Sequence, residues 1–335
     1  MSLDIIVEDR IPYISGVLEP AGNVTYLPAE AITPEVMRSA DALITRTRTR
    51  CDARLLHDSR CAFIATATIG TDHIDLPYCR SRGITVANAP GCNAPAVAQY
   101  VMAAILAAHP EGVSGLTAGI VGVGNVGRIV ERWARSLGMN VMRCDPPRQE
   151  AGDRGPWFSM EEIAREADVI TFHTPLSRDG NHPTYHLASK DFLASLRRKP
   201  MIINAARGAV TSTEALIEAH AAGLTGALVI DCWEGEPDID LRLLDASFIA
   251  TPHVAGYSRE GKIRATAMAV DAFSRHFGVQ VNPLPVAIPP AAPLAVTAAD
   301  ILSTYSILAD DAALRAAPST FESLRNHYPL RPEPR

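Results

Sequence analysis

Over the first ninety positions apolar residues come in short runs, "DIIV", "NVTYL", "DALIT", "AFIATA" and "ITVANA", separated by polar or helix-patterned stretches. Strand followed by helix in that rhythm predicts an α/β fold. A long helical pattern occupies 94–108, and "TAGIVGVGNVGRIVERWARSLGMNVMRCD" (117–145) comes next. Beyond it, "DVITFHTP" (168–175), "PMIINAARG" (200–208), "LTGALVIDCW" (224–233) and "SFIATPHV" (247–254) are continuous apolar runs. Such runs fit strands of a parallel sheet covered by helices on both faces. The intervening "SMEEIAREA", "SKDFLASL" and "STEALIEAHAAG" have helical spacing with serine at the expected N-caps. "SREGKIRATAMAVDAFSRHFG" (258–278) predicts a further helix.

The proline-rich "VNPLPVAIPPAAPLAV" (281–296) cannot propagate a helix. After it, "AADILSTYSILADDAALRAA" reads as one amphipathic helical segment, followed by a polar, proline-rich tail. This C-terminal piece reads as an appendage used for association.

A chain of 335 residues suits two domains, and 47% apolar with 20% charged residues is the balance of a globular protein. The net charge of −6 is spread without a basic stripe, which argues against a nucleic-acid partner but not against a small anionic substrate. "MSLDIIVEDR" carries acids and no long apolar core, so it does not read as a signal peptide. The most apolar helical run, 96–109, is shorter than the ~20 residues that span a bilayer. The six scattered cysteines include no C-x-x-C pair, which predicts reduced thiols in a cytoplasmic protein and no metal site.

"GIVGVGNVGR" contains G-x-G-x-x-G as Gly122, Gly124 and Gly127, after a strand and opening a helix. The first glycine permits the turn, the second lets backbone approach a pyrophosphate, and the third lets helix pack on strand. The helix N-terminus supplies N–H groups to the phosphates. Asp145 ends the next strand, 18 residues past Gly127, where an acid bonds ribose hydroxyls and repels a 2′-phosphate. That favours NAD over NADP, with Arg148 as the residue that could argue otherwise.

Three polar residues fall at the ends of later strands, where open α/β sheets bind ligands: Arg207 in "NAARG", Glu236 in "DCWEGEP" and His253 in "TPHVAG". Oxidation of an alcohol by hydride transfer needs a base for the hydroxyl proton, and histidine titrates near working pH. A carboxylate on its other nitrogen would fix the tautomer, and an arginine would clamp a substrate carboxylate. Singly, each could be an ordinary ion pair, loop cap or core histidine. Their succession behind a dinucleotide fingerprint favours chemistry.

On the G-x-G-x-x-G turn, the "ARG" arginine, the "D-x-W-E-x-E-P" glutamate and the "PH-x-AG" histidine, the chain resembles the D-isomer-specific 2-hydroxyacid dehydrogenases. The resemblance implies two Rossmann-like α/β domains with parallel sheets, an NAD domain (94–256) inserted in a flavodoxin-like substrate domain (1–93 and 257–282), and a C-terminal dimerisation segment (283–335). It implies Arg207, Glu236 and His253 as catalytic residues, and a cofactor site at Gly122, Gly124, Asn125, Val126, Gly127, Asp145, Thr174, Ala206, Asp231 and Gly256. Asp231 would be the acid beside the nicotinamide. Thr47, Thr68 and Tyr257 are the implied substrate contacts.

"TATIGTDHID", "APGCNAPAVAQYV", "CDPPR", "TFHTPLSRDG" and "PHVAGYSREGK" resemble more narrowly the branch of that family that oxidises a phosphorylated hydroxy acid, as a homodimer. Such enzymes continue past a helix like "TFESLRNHYP" into a further strand region. Dehydrogenases of 3-phosphoglycerate or glyoxylate type are the alternative within the family, and an NAD-sensing protein that keeps the fold as scaffold is the alternative outside it. "ITRTRTR" (44–50) would, as a strand, set Arg46, Arg48 and Arg50 on one face. That stripe reads first as a charged edge and second as an aid to a phosphorylated acid.

Overall fold

The structure, a computed structural model, describes residues 2–335. Its contacts divide the chain into two units. One comprises the residues up to Asn93 together with Arg259–Ala291, and the other Ala94–Ser258 with Ala292–Arg335.

The first unit is built on five parallel strands, β1 (Leu3–Glu8), β2 (Gly22–Leu27), β3 (Ala42–Thr45), β4 (Phe63–Thr66) and β5 (Thr85–Ala87), in the order β2-β1-β3-β4-β5. Period-two alternation sends Ile5, Val7, Ile44 and Phe63 to one face and Ile6, Leu43 and Ile64 to the other. The helix Arg259–Phe277 covers the first face with Ala265, Ala269, Val270 and Phe273. Met37, Leu55 and Leu56 cover the second. Full burial of each large apolar side chain is worth roughly 1.5–3 kcal/mol, so both faces contribute to holding the sheet.

β3 stops at Thr45, so the Thr-Arg stripe is not a strand. The cause is Glu8, a buried carboxylate at the end of β1. Its Oε2 accepts from Thr45 Oγ1 (3.0 Å), Arg46 N (2.9 Å) and Thr49 Oγ1 (3.4 Å), drawing the chain into a bend. Arg46, Arg48 and Arg50 therefore follow the bend rather than one face.

The second unit holds β6 (Thr117–Val121), β7 (Asn140–Cys144), β8 (Val169–Phe172), β9 (Met201–Asn204), β10 (Leu228–Ile230) and β11 (Ile249–Ala250). They are parallel, in the order β11-β10-β9-β8-β6-β7. The helix Ala94–Ala108 and Trp133, from the helix Asn125–Ser136, pack on one face with Ile120, Val169, Ile203 and Val229. Ile163, Leu193 and Leu216 pack on the other with Val121, Ile170, Phe172 and Ile202. The chain leaves β6 toward β7 and then returns to β8 on the opposite side. This reversal makes the β6/β8 crevice the switch point where such sheets take ligands.

Ala292–Arg335 pack within this second unit. Val296, Ile301, Tyr305 and Ile307 are buried in one core cluster, and Leu314 and Phe321 in the other. The single amphipathic segment expected over 298–317 is two helices, Ala298–Leu302 and Ile307–Ala316. The break follows Thr304, whose hydroxyl turns back onto the carbonyls of Asp300 (2.7 Å) and Ile301 (3.0 Å). Asp311 accepts from Ala250 N at 2.7 Å, so the second helix covers the open edge of β11.

In the polar tail, Arg331 and Glu333 are buried. A short helix, Phe321–Asn326, leads into it. All six cysteines are free and buried. Among the described residues no helix is long and apolar enough to cross a membrane.

Candidate active site

The fingerprint glycines sit at the switch point for steric reasons. Gly122 has φ +89°, and a Cβ there would lie 2.8 Å from the His173 carbonyl carbon at the end of β8. A Cβ on Gly127 would fall onto the Gly122 carbonyl oxygen, so only glycine lets the helix Asn125–Ser136 approach the turn. Gly124 caps that helix and faces open space. The first-turn N–H groups of Asn125, Val126 and Gly127 have no intrahelical acceptor. At a helix N-terminus they form a cradle for an anion such as a pyrophosphate.

Across the crevice, Thr174 Oγ1 and His173 Nδ1 are buried without a partner. Two orphaned polar atoms beside an open glycine turn are what a site for a polar cofactor leaves behind when only the chain is considered. Burial holds the His173 ring neutral, with its pKa down to about 3.

Asp145 ends β7 and ties the turn together. Its Oδ2 accepts from Val123 N (2.8 Å) and its Oδ1 from Arg148 N (3.2 Å). Each oxygen keeps a lone pair for a ribose hydroxyl. Arg148 is already engaged, paired with Asp153 and donating to the Val123 carbonyl at 2.5 Å. It is therefore not a free cation awaiting a 2′-phosphate.

The three polar residues at later strand ends fall in one region. Arg207 follows β9 in a turn organised by buried Asn204, whose amide donates to the carbonyls of Arg207 (3.0 Å) and Gly208 (3.2 Å) and to Thr211 Oγ1 (3.0 Å). A Cβ on Gly208 would fall onto the carbonyl of Trp233, so glycine lets the arginine turn lie directly on the loop that carries Glu236. Ala206 sits in the same turn, its N–H donating to Asn204 Oδ1 at 3.2 Å.

Glu236 Oε1 accepts from Trp233 N at 2.8 Å, and Oε2 lies 2.8 Å from His253 Nδ1. Burial alone would raise the Glu236 pKa. The hydrogen bond and charge of His253, the Trp233 N–H and the Arg325 cation outweigh it and hold the carboxyl below its ordinary value. With Nδ1 facing Glu236, the Nε2 edge of His253 is the one available to a substrate.

His253 adopts a left-handed backbone, φ +57°, which a non-glycine residue keeps only when its surroundings demand it. Here the demand comes from Asp231 at the end of β10. Its buried carboxylate accepts from Thr251 Oγ1 (2.7 Å), Val254 N (2.7 Å) and Ala255 N (3.0 Å), and its carbonyl accepts from His253 N (2.9 Å). Burial raises the Asp231 pKa, countered by the His253 charge and these donors. Tyr100, from the buried helix, extends the network to Thr251 at 2.9 Å.

Gly256 and Tyr257 lie one turn further on, with Tyr257 N donating to the Val254 carbonyl at 2.9 Å. Cys232, Glu236 and His253 bring a sulfur, a carboxylate oxygen and a ring nitrogen within 4.8 Å of one another. Burial pushes the Cys232 thiol far up, so it stays protonated at neutral pH.

Thr47 and Thr68 belong to the other unit, at the C-terminal ends of the neighbouring strands β3 and β4. Thr47 is exposed on the bend made by Glu8. Thr68 Oγ1 lies 2.7 Å from Thr66 Oγ1, which itself donates to the Arg46 carbonyl. Thr68 is thus tied through Thr66 to the Arg46 carbonyl, one residue before Thr47.

Sequence reasoning overlooked three residues in this region. Asn204, the first residue of "NAARG", organises the arginine turn. Arg325 approaches Glu236 Oε2 to 3.8 Å. Arg331 stacks on Tyr305 (4.0 Å) and donates to the carbonyls of Val254 (2.9 Å), Tyr257 (3.2 Å) and Ala255, clamping the His253 loop from beneath.

A Gly-turn anion cradle, an acid at the next strand end and a carboxylate-histidine pair define an NAD-linked dehydrogenase site. Residues 98–255 match the family model "D-isomer specific 2-hydroxyacid dehydrogenase, NAD binding domain". The chain is 47% identical over 338 residues to an erythronate-4-phosphate dehydrogenase of Bacteroides fragilis, covering 99% of this chain and 97% of that protein. It is 45% identical over 339 residues to an erythronate-4-phosphate dehydrogenase of Bacteroides thetaiotaomicron, with the same coverage. Among solved structures, a protein of Thermus thermophilus superposes with a TM-score of 0.70 at 27% identity, covering 85% of this chain and all of that one. The chain belongs to the D-isomer-specific 2-hydroxyacid dehydrogenase family, and its cofactor is NAD. Within that family its full-length likeness is to erythronate-4-phosphate dehydrogenases.

Proposed function

We propose that the chain oxidises erythronate 4-phosphate at C2 to 2-oxo-3-hydroxy-4-phosphobutanoate, a step of pyridoxal 5′-phosphate biosynthesis, with Arg207, Glu236 and His253 as the catalytic residues. The oxidation rests on one observation above the others, the 2.8 Å pairing of His253 Nδ1 with Glu236 in the strand-end loops of the sheet that carries the glycine turn. The substrate rests on the full-length likeness to proteins of that name.

NAD, when bound, supplies the two-electron oxidant for the C2–H bond. His253 Nε2 takes the proton of the C2 hydroxyl as the carbonyl forms. Glu236 fixes the tautomer that leaves Nε2 free and stabilises the ring once it is charged. Arg207 pairs with the substrate carboxylate and polarises the forming carbonyl. Asp231 holds the loop that aims His253 and, with Ala206 and Gly256, would hold the nicotinamide end of the cofactor. Thr174 would hold the cofactor at the β8 end of the crevice. Thr47, Thr68 and Tyr257 contact the substrate.

The domain roles follow: residues 94–256 bind NAD, and 1–93 with 257–282 carry the substrate side. A cytoplasmic homodimer is the expected form. Leu294, Leu302 and Leu308 of the C-terminal residues are exposed apolar side chains that a second copy would cover. Light scattering on the purified chain tests the dimer. Turnover tests the activity: NADH formation is expected with erythronate 4-phosphate, and at least about 100-fold lower kcat/KM with 3-phosphoglycerate or glycolate, a gap of roughly 2.7 kcal/mol in transition-state binding.

A further inference from the structure

Arg325 lies outside the fingerprint, the "ARG" turn and both strand-end motifs, yet it stands against the carboxylate that holds His253. It comes from the short helix Phe321–Asn326, whose first residue Phe321 is buried in the core and fixes the helix in place. Its Nη1 lies 3.8 Å from Glu236 Oε2 and 3.9 Å from Glu322 Oε1, and it hydrogen-bonds the side chain of Tyr257. Its side chain is 23% exposed. Burial works against its charge, but Tyr257 and Glu236 outweigh burial and leave it firmly protonated.

The Glu236 carboxylate is thus shared between an imidazole and a guanidinium. A carboxylate alone favours the charged imidazole, while a second cation on the same carboxylate opposes it. The balance matters because a proton-transfer group is most effective when it exchanges its proton near ambient pH. The other charged or titratable groups at the pair are Asp231 and Cys232 from the end of β10, Arg207 from the turn after β9, and Tyr257 after His253. Tyr328, edge-on to Tyr257 at 5.9 Å, backs this last ring. From the C-terminal residues it is Arg325 that reaches the carboxylate.

We propose that Arg325 is a positioning residue for this reaction: it shares Glu236 with His253, sets the pH range in which His253 exchanges a proton, and holds Tyr257 at the same site. The proposal rests on reading Glu236 and His253 as the proton-transfer pair.

The test is the titration of the His253 ring by NMR in the NAD-free chain, its signal identified by loss in H253N. In R325Q the midpoint is expected to rise by about half a unit to one unit, as removal of the cation 3.8 Å from the shared carboxylate allows. R325K, which keeps the charge, is expected to stay within about 0.3 unit of the parent. The acid limb of kcat/KM should move upward with the midpoint in R325Q, with KM for NAD unchanged. If R325Q does not fold, R325M carries the same expectation. An unmoved midpoint in the neutral variant overturns the proposal, as does an R325K midpoint that moves as far as that of R325Q. The titration uses no substrate, so failure of the parent chain to oxidise erythronate 4-phosphate would count against the substrate assignment and leave this result legible.

Discussion

Glu236 meets His253 Nδ1 with both oxygens, Oε2 at 2.8 Å and Oε1 at 3.1 Å, while Oε1 also accepts from Trp233 N at 2.8 Å. The carboxylate is therefore held by its own loop before it orients the histidine. It cannot rotate away without abandoning a buried N–H.

E236Q keeps an acceptor for Trp233 N but loses the charge facing the ring. A fall of about 100-fold in kcat/KM is expected from steady-state assays, with little change in NAD affinity. The carboxyl is held below its ordinary value, so its contribution to stability is fully present above that ordinary value of 4.5 and fades as pH falls through the lower folded value. Urea unfolding should show the variant losing less stability than the parent on acidification through that window.

His173 gives a second acid-side effect of separate origin. Its ring is buried neutral, with the pKa lowered from 6.5 to about 3. Unfolding lets the ring take up a proton at any pH between those values. Its contribution is therefore complete above 6.5 and falls by about 1.4 kcal/mol per pH unit below it. H173Q should flatten the dependence of unfolding free energy on pH between 6.5 and about 4. An unchanged slope would mean that the ring is not buried neutral.

Gly208 has no room for a side chain, because a Cβ would strike the Trp233 carbonyl. G208A should force the arginine turn off the glutamate loop. The expected outcome is at least a roughly tenfold loss of kcat and about 1–3 kcal/mol of stability, read from assays and denaturant melts.

Arg331 ties the tail to the His253 loop through a buried charge. R331M strips the donors from the carbonyls of Val254, Ala255 and Tyr257. With about 1–3 kcal/mol lost per unsatisfied buried acceptor, a loss of roughly 3 kcal/mol or more is expected. Activity should fall with it, because the left-handed His253 loses its support. Thermal melts and kcat measured on the still-folded fraction check both parts.

What was legible in the sequence was local. The α/β rhythm, the G-x-G-x-x-G turn and the strand-end positions of Arg207, Glu236 and His253 follow from residues close along the chain, where periodicity and turn chemistry act. The Thr-Arg stripe was misread because its conformation is set by Glu8, which meets Thr49 across 41 positions. The polar, proline-rich composition of the tail gives no sign of its contacts. Arg331 reaches Val254 across 77 positions and satisfies carbonyls that no pattern marks as needy. Arg325 is hidden for the same reason, since the packing of its helix through Phe321 and Leu324 brings it to Glu236.

The proposed oxidation of erythronate 4-phosphate has His253 as its proton acceptor. The most direct measurement is NADH formation from NAD and erythronate 4-phosphate by the parent chain and by H253N, with NAD binding measured in parallel. Turnover by the parent, a loss of at least about 100-fold in H253N and NAD affinity unchanged between them are expected. No turnover by the parent, or undiminished turnover by H253N, would contradict the proposal.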